Sequence, residues 1–481
     1  IFSMRFFALL LFALPLASTL DVLPSWARGG EFRKLFPALL APEAPSSAQK
    51  LTVPLDHFNS SDTRTMQIRY WVDTTCLKSG GPVFVHMGGE GSAGPAGCGS
   101  RERAHGALVL AVEHRFYGES APSDGLTDSN MPFLSVEQNL ADTLAAVDAV
   151  QKAFDKANGP VFAFGGSYSG ATCAWFRISY PKRVSGCISS SGVVNPILDF
   201  VGFDEQITQA VAHPKSDCAE RLEQAYQALD RAFDAGKADA IKRQFNAPEL
   251  VGTPQGDVDF MYAVADGPAM LDQADSLPPP RPDVELAQYG NKAGLCSSLA
   301  SLPQDASDED RIDNLNKLIQ HWYGSDFVAG CFYNTECVKS QRISGSGVGS
   351  RQWRWQKCSQ LAYLQAAPAT HAARSKRLTL PALLSQCEAM FWQGVRPDTT
   401  SIIEKFGGAN PKGTNIFFLD YSDDPWQRAS VNRTLSPDLP YCMTTCDGCG
   451  HCGAGVPSTL TKCSDEADAK LAQWLQGSQL V

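Results

Sequence analysis

Three short stretches hold residue types that can do nucleophilic chemistry. "GGSYSG" (165 to 170) sets Ser167 between small residues, "NIFFLDYSDDPW" (415 to 426) carries Asp420, Asp423 and Asp424, and "TCDGCGHCGAG" (445 to 455) holds His451 among cysteines. A serine hydroxyl becomes a nucleophile when a histidine takes its proton and a carboxylate orients that histidine. The last stretch has two competing readings. Cys449-Gly450-His451-Cys452 spells the C-x-x-C of a disulfide exchanger, and the crowded Cys442, Cys446, Cys449, Cys452 and Cys463 suggest zinc.

The surrounding elements decide between them. "VFAFGG" reads as a strand ending in Gly165-Gly166, and "YSGATCAWFRISY" reads as a helix that Pro181 ends. Ser167 at that junction is the setting of a nucleophile elbow in an α/β-hydrolase, where a sharp strand-to-helix turn demands small neighbours. Ser169 stands two residues on, a departure from G-x-S-x-G. The alternative serines are Ser189, Ser190 and Ser191 of "ISSSG". In this fold the acid and then the histidine follow the serine. Of His213, His321, His371 and His451, which follow Ser167, only His451 lies beyond the return of strand character at "TNIFFLD". Spacing does not choose among the three aspartates. "GAGVPST" after the C-x-x-C is a poor helix start, which counts against a thiol whose pKa a helix dipole lowers. Zinc would need a second paired knuckle, and the expectation is no metal and no cofactor. The cysteines are read as disulfide staples around the histidine loop, Cys449 and Cys452 among them.

The same fold places the oxyanion donors. One is the backbone N–H of Tyr168, and the other is that of Gly89 or Glu90 in "GGEG" after strand "PVFVHM". Glu113, His114 and Arg115 in "VEHRFYGES" read as structural.

Between about 50 and 204, apolar runs ("MQIRYWV", "GPVFVHMGG", "ALVLAVEHRFYG") alternate with helical patterns, which implies a parallel sheet covered on both faces. Residues 135 to 159 predict a helix capped by Ser135 and Gln138 and stopped by Gly159, with Val136, Leu140, Leu144, Val147, Val150 and Phe154 on one face. From about 205 to 385 the rhythm changes to helices at 220 to 245 and 309 to 324, joined by Pro-rich connections, which reads as a mostly helical insertion. Residues 386 to 481 return to the sheet and close with a helix at 465 to 479.

Composition narrows the function classes. The chain of 481 residues carries a net charge of −10 and no basic run, against a nucleic-acid partner or an anionic membrane surface. Met4-Arg5 followed by "FFALLLFALPLA" (6 to 17) reads as a secretory signal within residues 1 to 20, too short to span a bilayer. Fifteen cysteines then imply disulfides with at least one left over, and Asn59 and Asn432 begin N-glycosylation sequons. The mature chain is expected to be free of the membrane.

"LDHF" (55 to 58), "GGSYSGATCAWFRISYP" (165 to 181), "RQWRWQKC" (351 to 358) and "DDPW" (423 to 426), in that order, resemble the serine peptidase family of lysosomal Pro-X carboxypeptidase, dipeptidyl peptidase II and thymus-specific serine protease. The resemblance runs from about residue 50 to 455. It implies an α/β-hydrolase fold with the helical insertion as a cap over the active site. It makes Ser167 the nucleophile, Asp424 the acid and His451 the base, with Trp426 walling an apolar S1 pocket for proline. Two departures stand out: Ser169 where a glycine is usual, and cysteines around the histidine. The function expected is a secreted or lysosomal serine exopeptidase acting on peptides beside proline, of dipeptidyl-peptidase or Pro-X carboxypeptidase type. An esterase or lipase of the same fold, or an inactive binding protein, are the alternatives. Whether the chain forms a homodimer is left open.

Overall fold

Strands β3 (Val83–Met87), β4 (Leu108–Val112), β5 (Val161–Gly166) and β9 (Ile416–Tyr421) are short, almost wholly buried runs rich in branched and aromatic residues. Such strands need cover on both faces, and alternate side chains show which cover each receives. In the computed structural model, which describes residues 47–212, 216–273, 292–323, 331–344 and 349–478, Val83, Val85 and Ala163 face the helices Val136–Ala153 and Ser167–Ser179. Phe84, Phe162, Phe164, Phe417 and Leu419 face the opposite side, against Leu471, Trp474 and Leu475 of the helix Lys462–Ser478.

The eight-stranded sheet runs β1 (Gln49–Pro54), β2 (Thr65–Asp73), β4, β3, β5, β6 (Val184–Ser190), β9, β10 (Tyr441–Thr444). β1 and β2 pair antiparallel, as do β2 and β4, and every pairing from β4 to β10 is parallel. This is the α/β-hydrolase arrangement. In a parallel sheet ligands bind outside the C-terminal strand ends. Those ends here carry residues 88–91, 167, 191, 422–424 and, past β10, 445–452.

The helix after Ser135 is as expected at its start, where the Ser135 hydroxyl accepts from Gln138 N. It ends at Ala153 rather than near Gly159. Gly159 instead lets two backbones meet, since a Cβ there would lie 2.6 Å from Gly80 O. The pattern from 220 to 245 divides into Cys218–Asp234 and Ala238–Gln244, broken at Gly236 with φ +75°. Described elements between 201 and 390 are helical except a two-residue-register parallel pair, β7 (Ile197–Asp199) with β8 (Ala362–Leu364), which ties the region to the sheet's C-terminal side.

All fifteen cysteines are accounted for: seven disulfides and Cys452. Of the two C-x-x-C cysteines read as staples, only Cys449 is one. Cys449 pairs with Cys446, and Cys452 is a buried free thiol. Its amide is held by Ser191 Oγ at 2.9 Å with φ at +55°, which keeps it on the sheet edge and apart from the disulfide-closed loop. Among the described residues no helix is long and apolar enough to cross a membrane. The signal read at residues 1 to 20 and His213 lie outside the described residues, and Asn59 and Asn432 are both exposed.

Candidate active site

Ser167 stands where β5 becomes a helix, half-buried and with φ +58°. Positive φ costs a residue with a Cβ roughly a kilocalorie or more per mole, so the surroundings must hold it. They do so in two ways. At Gly165 any side chain is excluded, because a Cβ would come 2.0 Å from Ser169 O. Ser169, the departure from glycine, donates its hydroxyl to Gly166 O at 2.7 Å and accepts from Gly166 N at 3.0 Å. Its hydroxyl therefore pins the turn that a glycine would only permit. The helix N-terminus places its free N–H groups and dipole beside Ser167.

The next residue, Tyr168, is buried and locked by side chains from three segments. Its hydroxyl accepts from Gln356 Nε2 at 2.6 Å and donates to His114 Nε2 at 3.1 Å, while Tyr117 donates to Gln356 Oε1. Burial, with the nearby Arg115 charge, lowers His114 to a pKa of about 4, so the ring stays neutral and accepts. "RQWRWQKC" thus supports the turn from beneath, with Trp353 also packed on Tyr168. Glu113, His114 and Arg115 are all buried in such supports. Glu113 takes two bonds from Arg69 (2.8 and 2.5 Å), and Arg115 pairs with Asp142, which also holds His57 of "LDHF".

The three aspartates sort into three different environments. Asp424 is buried and accepts from His451 Nδ1 at 2.8 Å and from Trp426 N at 2.8 Å. Asp423 pairs with Lys292 Nζ at 2.8 Å and accepts from Gly448 N at 2.8 Å. Asp420 is fully buried with neither oxygen hydrogen-bonded, and burial together with the Asp424 charge raises its carboxyl far above the usual range. Both causes favour its neutral form.

His451 is half-buried, and its Nε2 has no hydrogen-bond partner. Burial opposes its charging, yet the Asp424 carboxylate and the Cys452 side chain outweigh burial and carry its pKa well above the ordinary imidazole value. Two stitched loops hold it. Asp423 N donates to Cys449 O at 2.9 Å, and Ser422 Oγ donates to Cys446 O at 2.9 Å. Gly455 closes the turn with φ +73°, where a Cβ would lie 1.9 Å from Gly448 O. On the other side Cys452 N is anchored to Ser191, one residue past Ser190, which is in register with Gly166. The histidine turn and the Ser167 turn consequently share the ends of adjacent strands.

Gly89 lies against the elbow, its Cβ position 3.8 Å from Ser169 Cβ. Glu90 follows, half-buried, with its carbonyl accepting from Gly349 N at 3.0 Å. Trp426 packs with Phe203 (4.9 Å), Tyr363 (5.8 Å), Phe200 (5.9 Å) and the His451 ring (6.3 Å), forming an aromatic wall beside His451. Phe200, Phe203, Tyr363 and Lys292 carried no signal in the sequence, because each meets the site by tertiary folding alone, Tyr363 and Lys292 from the helical region and Phe200 and Phe203 from the segment that leads into it. Of the other histidines, His371 is exposed and near Glu223 (3.7 Å). Ser189 donates to Gly170 O at 2.9 Å and Ser191 accepts from Cys452 N, so both are engaged in backbone support.

With this geometry in view, a family model described as serine carboxypeptidase S28 matches residues 53–460. A probable serine protease of Arabidopsis thaliana is 29% identical over 82% of this chain and 78% of its own. The thymus-specific serine protease of Homo sapiens is 29% identical over 79% of this chain and 76% of its own. The lysosomal Pro-X carboxypeptidase of Homo sapiens is 26% identical over 82% of this chain and 81% of its own.

Proposed function

Because the chain belongs to the serine carboxypeptidase S28 family and is a serine peptidase, we propose that Ser167, His451 and Asp424 form its catalytic triad and that it is an exopeptidase cleaving beside proline. The observation that carries the reading is the buried Asp424 carboxylate held 2.8 Å from Nδ1 of His451, whose Nε2 is left unpartnered. A histidine that donates Nδ1–H to a carboxylate presents a lone pair at Nε2, which is what a general base needs.

In the proposed reaction Ser167 Oγ bonds to the substrate carbonyl carbon while its proton passes to His451 Nε2. The carbonyl oxygen becomes an oxyanion, which the Tyr168 N–H and the N–H of Gly89 or Glu90 receive. The C–N bond then breaks as His451 returns the proton to the leaving amine, leaving an acyl-enzyme on Ser167. Water repeats the sequence, giving its proton to His451, and the ester bond to Ser167 breaks. Asp424 stays ionised throughout and stabilises the imidazolium. The wall of Trp426, Phe200, Phe203 and Tyr363 suits the compact apolar ring of proline, and the helical region from about 205 to 385 serves as the cap that closes the cleft.

Other features agree with a secretory or lysosomal setting. Seven disulfides, two exposed sequons and relatives named lysosomal or extracellular support it. The test of the triad is Ser167→Ala, expected to lower turnover of proline peptides by about 10⁴ or more and to abolish fluorophosphonate labelling. Retained turnover in that variant, or loss instead in a Ser189, Ser190 or Ser191 variant, overturns the assignment.

A further inference from the structure

Among the described residues several buried or half-buried carboxylates have a cationic partner. Glu113 has Arg69, Asp142 has Arg115, Asp204 has Arg374 and Asp423 has Lys292. Glu90 differs. Among the described residues no lysine or arginine pairs with it, and its Oε2 is buried without any hydrogen-bond partner. Unlike Asp420, which is sealed inside the sheet, Glu90 keeps some exposure and lies in the loop that abuts the elbow. Its carboxyl lies within electrostatic reach of His451, Tyr117 and Tyr168. Its backbone is also fixed, through Gly349 N at 3.0 Å to Glu90 O, so the residue is held at the seam with the helical region.

An unpaired carboxyl held at the edge of a reaction centre costs free energy, and a ligand cation would relieve that cost. From this placement we propose that the Glu90 carboxylate receives the free α-ammonium of the substrate, so that the enzyme removes a dipeptide from the N-terminus. The inference rests on the triad reading and names the end of the chain that it attacks. An extended chain advances about 3.3–3.6 Å per residue, so the ammonium of a two-residue acyl group lies roughly 7 Å from the carbonyl under attack, one short loop's reach beyond the elbow that Gly89 abuts. A C-terminal carboxylate brought to the same place would meet a like charge. Burial raises the Glu90 carboxyl above its ordinary range, with its own amide and His451 opposing, and an ammonium would favour the ionised form further.

Three substrates and one variant test the proposal: Ala-Pro-aminocoumarin, its N-acetyl form, and Ala-Ala-Pro-Phe read by release of phenylalanine. The wild type should prefer the free amine over the acetylated reporter by about 100-fold in kcat/KM, mostly through KM, and should release no phenylalanine. Glu90→Gln should collapse that preference to within a few-fold. If the wild type cleaves both reporters alike, or liberates phenylalanine, or if Glu90→Gln lowers both reporters equally, the proposal is wrong. Fluorophosphonate labelling of wild type separates this from failure of the triad: an enzyme that labels on Ser167 but ignores the amine keeps the triad and loses only the Glu90 assignment.

Discussion

At the scale of single residues, three aspartates within five positions differ because their surroundings do. Asp424 faces the histidine, so Asp424→Asn should lower kcat by about 10³–10⁴, since the imidazolium loses its counter-charge. The acid limb of kcat/KM should lie above the ordinary imidazole value, because turnover needs neutral His451 and burial is outweighed by Asp424 and Cys452. In Asp424→Asn the residual activity should show that limb moved to lower pH. A limb that stays in place would refute Asp424 as the cause. Asp420 makes a different prediction. Its folded-state pKa is raised by burial and by Asp424, so the stability it contributes is fully present below the unfolded carboxylate value and is lost as pH rises through the folded one. Asp420→Asn, which mimics the neutral acid, should therefore raise Tm at pH 7 and flatten its pH dependence. A lower Tm at pH 7, or a loss of turnover equal to that of Asp424→Asn, would place the functional charge at Asp420 instead.

At the scale of elements, the histidine loop is a device for holding one ring against two strand ends. The Cys446–Cys449 disulfide closes the loop before the ring, while Cys452 anchors it to Ser191 after the ring. A disulfide closing so short a loop contributes about 2 kcal/mol by chain entropy. Cys446→Ser/Cys449→Ser should accordingly lower Tm while the folded fraction still labels with fluorophosphonate. Cys452→Ser breaks no disulfide, and its expected effect is on the His451 environment: a shift of the acid limb to lower pH with Tm little changed. Insulin reduction by the wild type, lost in Cys446→Ser/Cys449→Ser, would instead make this loop a redox site.

For the whole molecule, the coupling of interest joins the helical region to the acid loop. Lys292, on the helix Lys292–Ala300, pairs with both Asp423, next to Asp424, and Asp447, inside the Cys446–Cys449 loop. Removing one partner of a largely buried ion pair costs about 3 kcal/mol, chiefly because the other charge is stranded. Lys292→Met is expected to lower Tm and to raise KM for proline peptides as the helical region loosens from the cleft. Calorimetry and steady-state kinetics showing both unchanged would mean that this pair does not hold the cap in place.

The sequence by itself determined the local parts. Gly165-Gly166-Ser167 at a strand-to-helix junction, the cap at Ser135 and the buried aromatic-rich strands follow from steric freedom, capping and hydrophobic runs, all properties of a few consecutive residues. The order of serine, acid and histidine along the chain was legible for the same reason. Which aspartate meets His451 could not be read from spacing, and Asp424 was singled out by the resemblance at "DDPW" alone, because Asp420, Asp423 and Asp424 are near-equivalent in local sequence and diverge only when strand β9 ends and the loop turns. The cysteine pairing was equally hidden: Cys446, Cys449 and Cys452 are evenly spaced, and the backbone at Cys452 alone separates the staple from the free thiol. Glu90 was read only for its backbone N–H until folding set its side chain near His451, Tyr117 and Tyr168 with no lysine or arginine paired to it among the described residues. Charge and burial at a point are sums over everything packed around it, and that sum exists only in the folded chain.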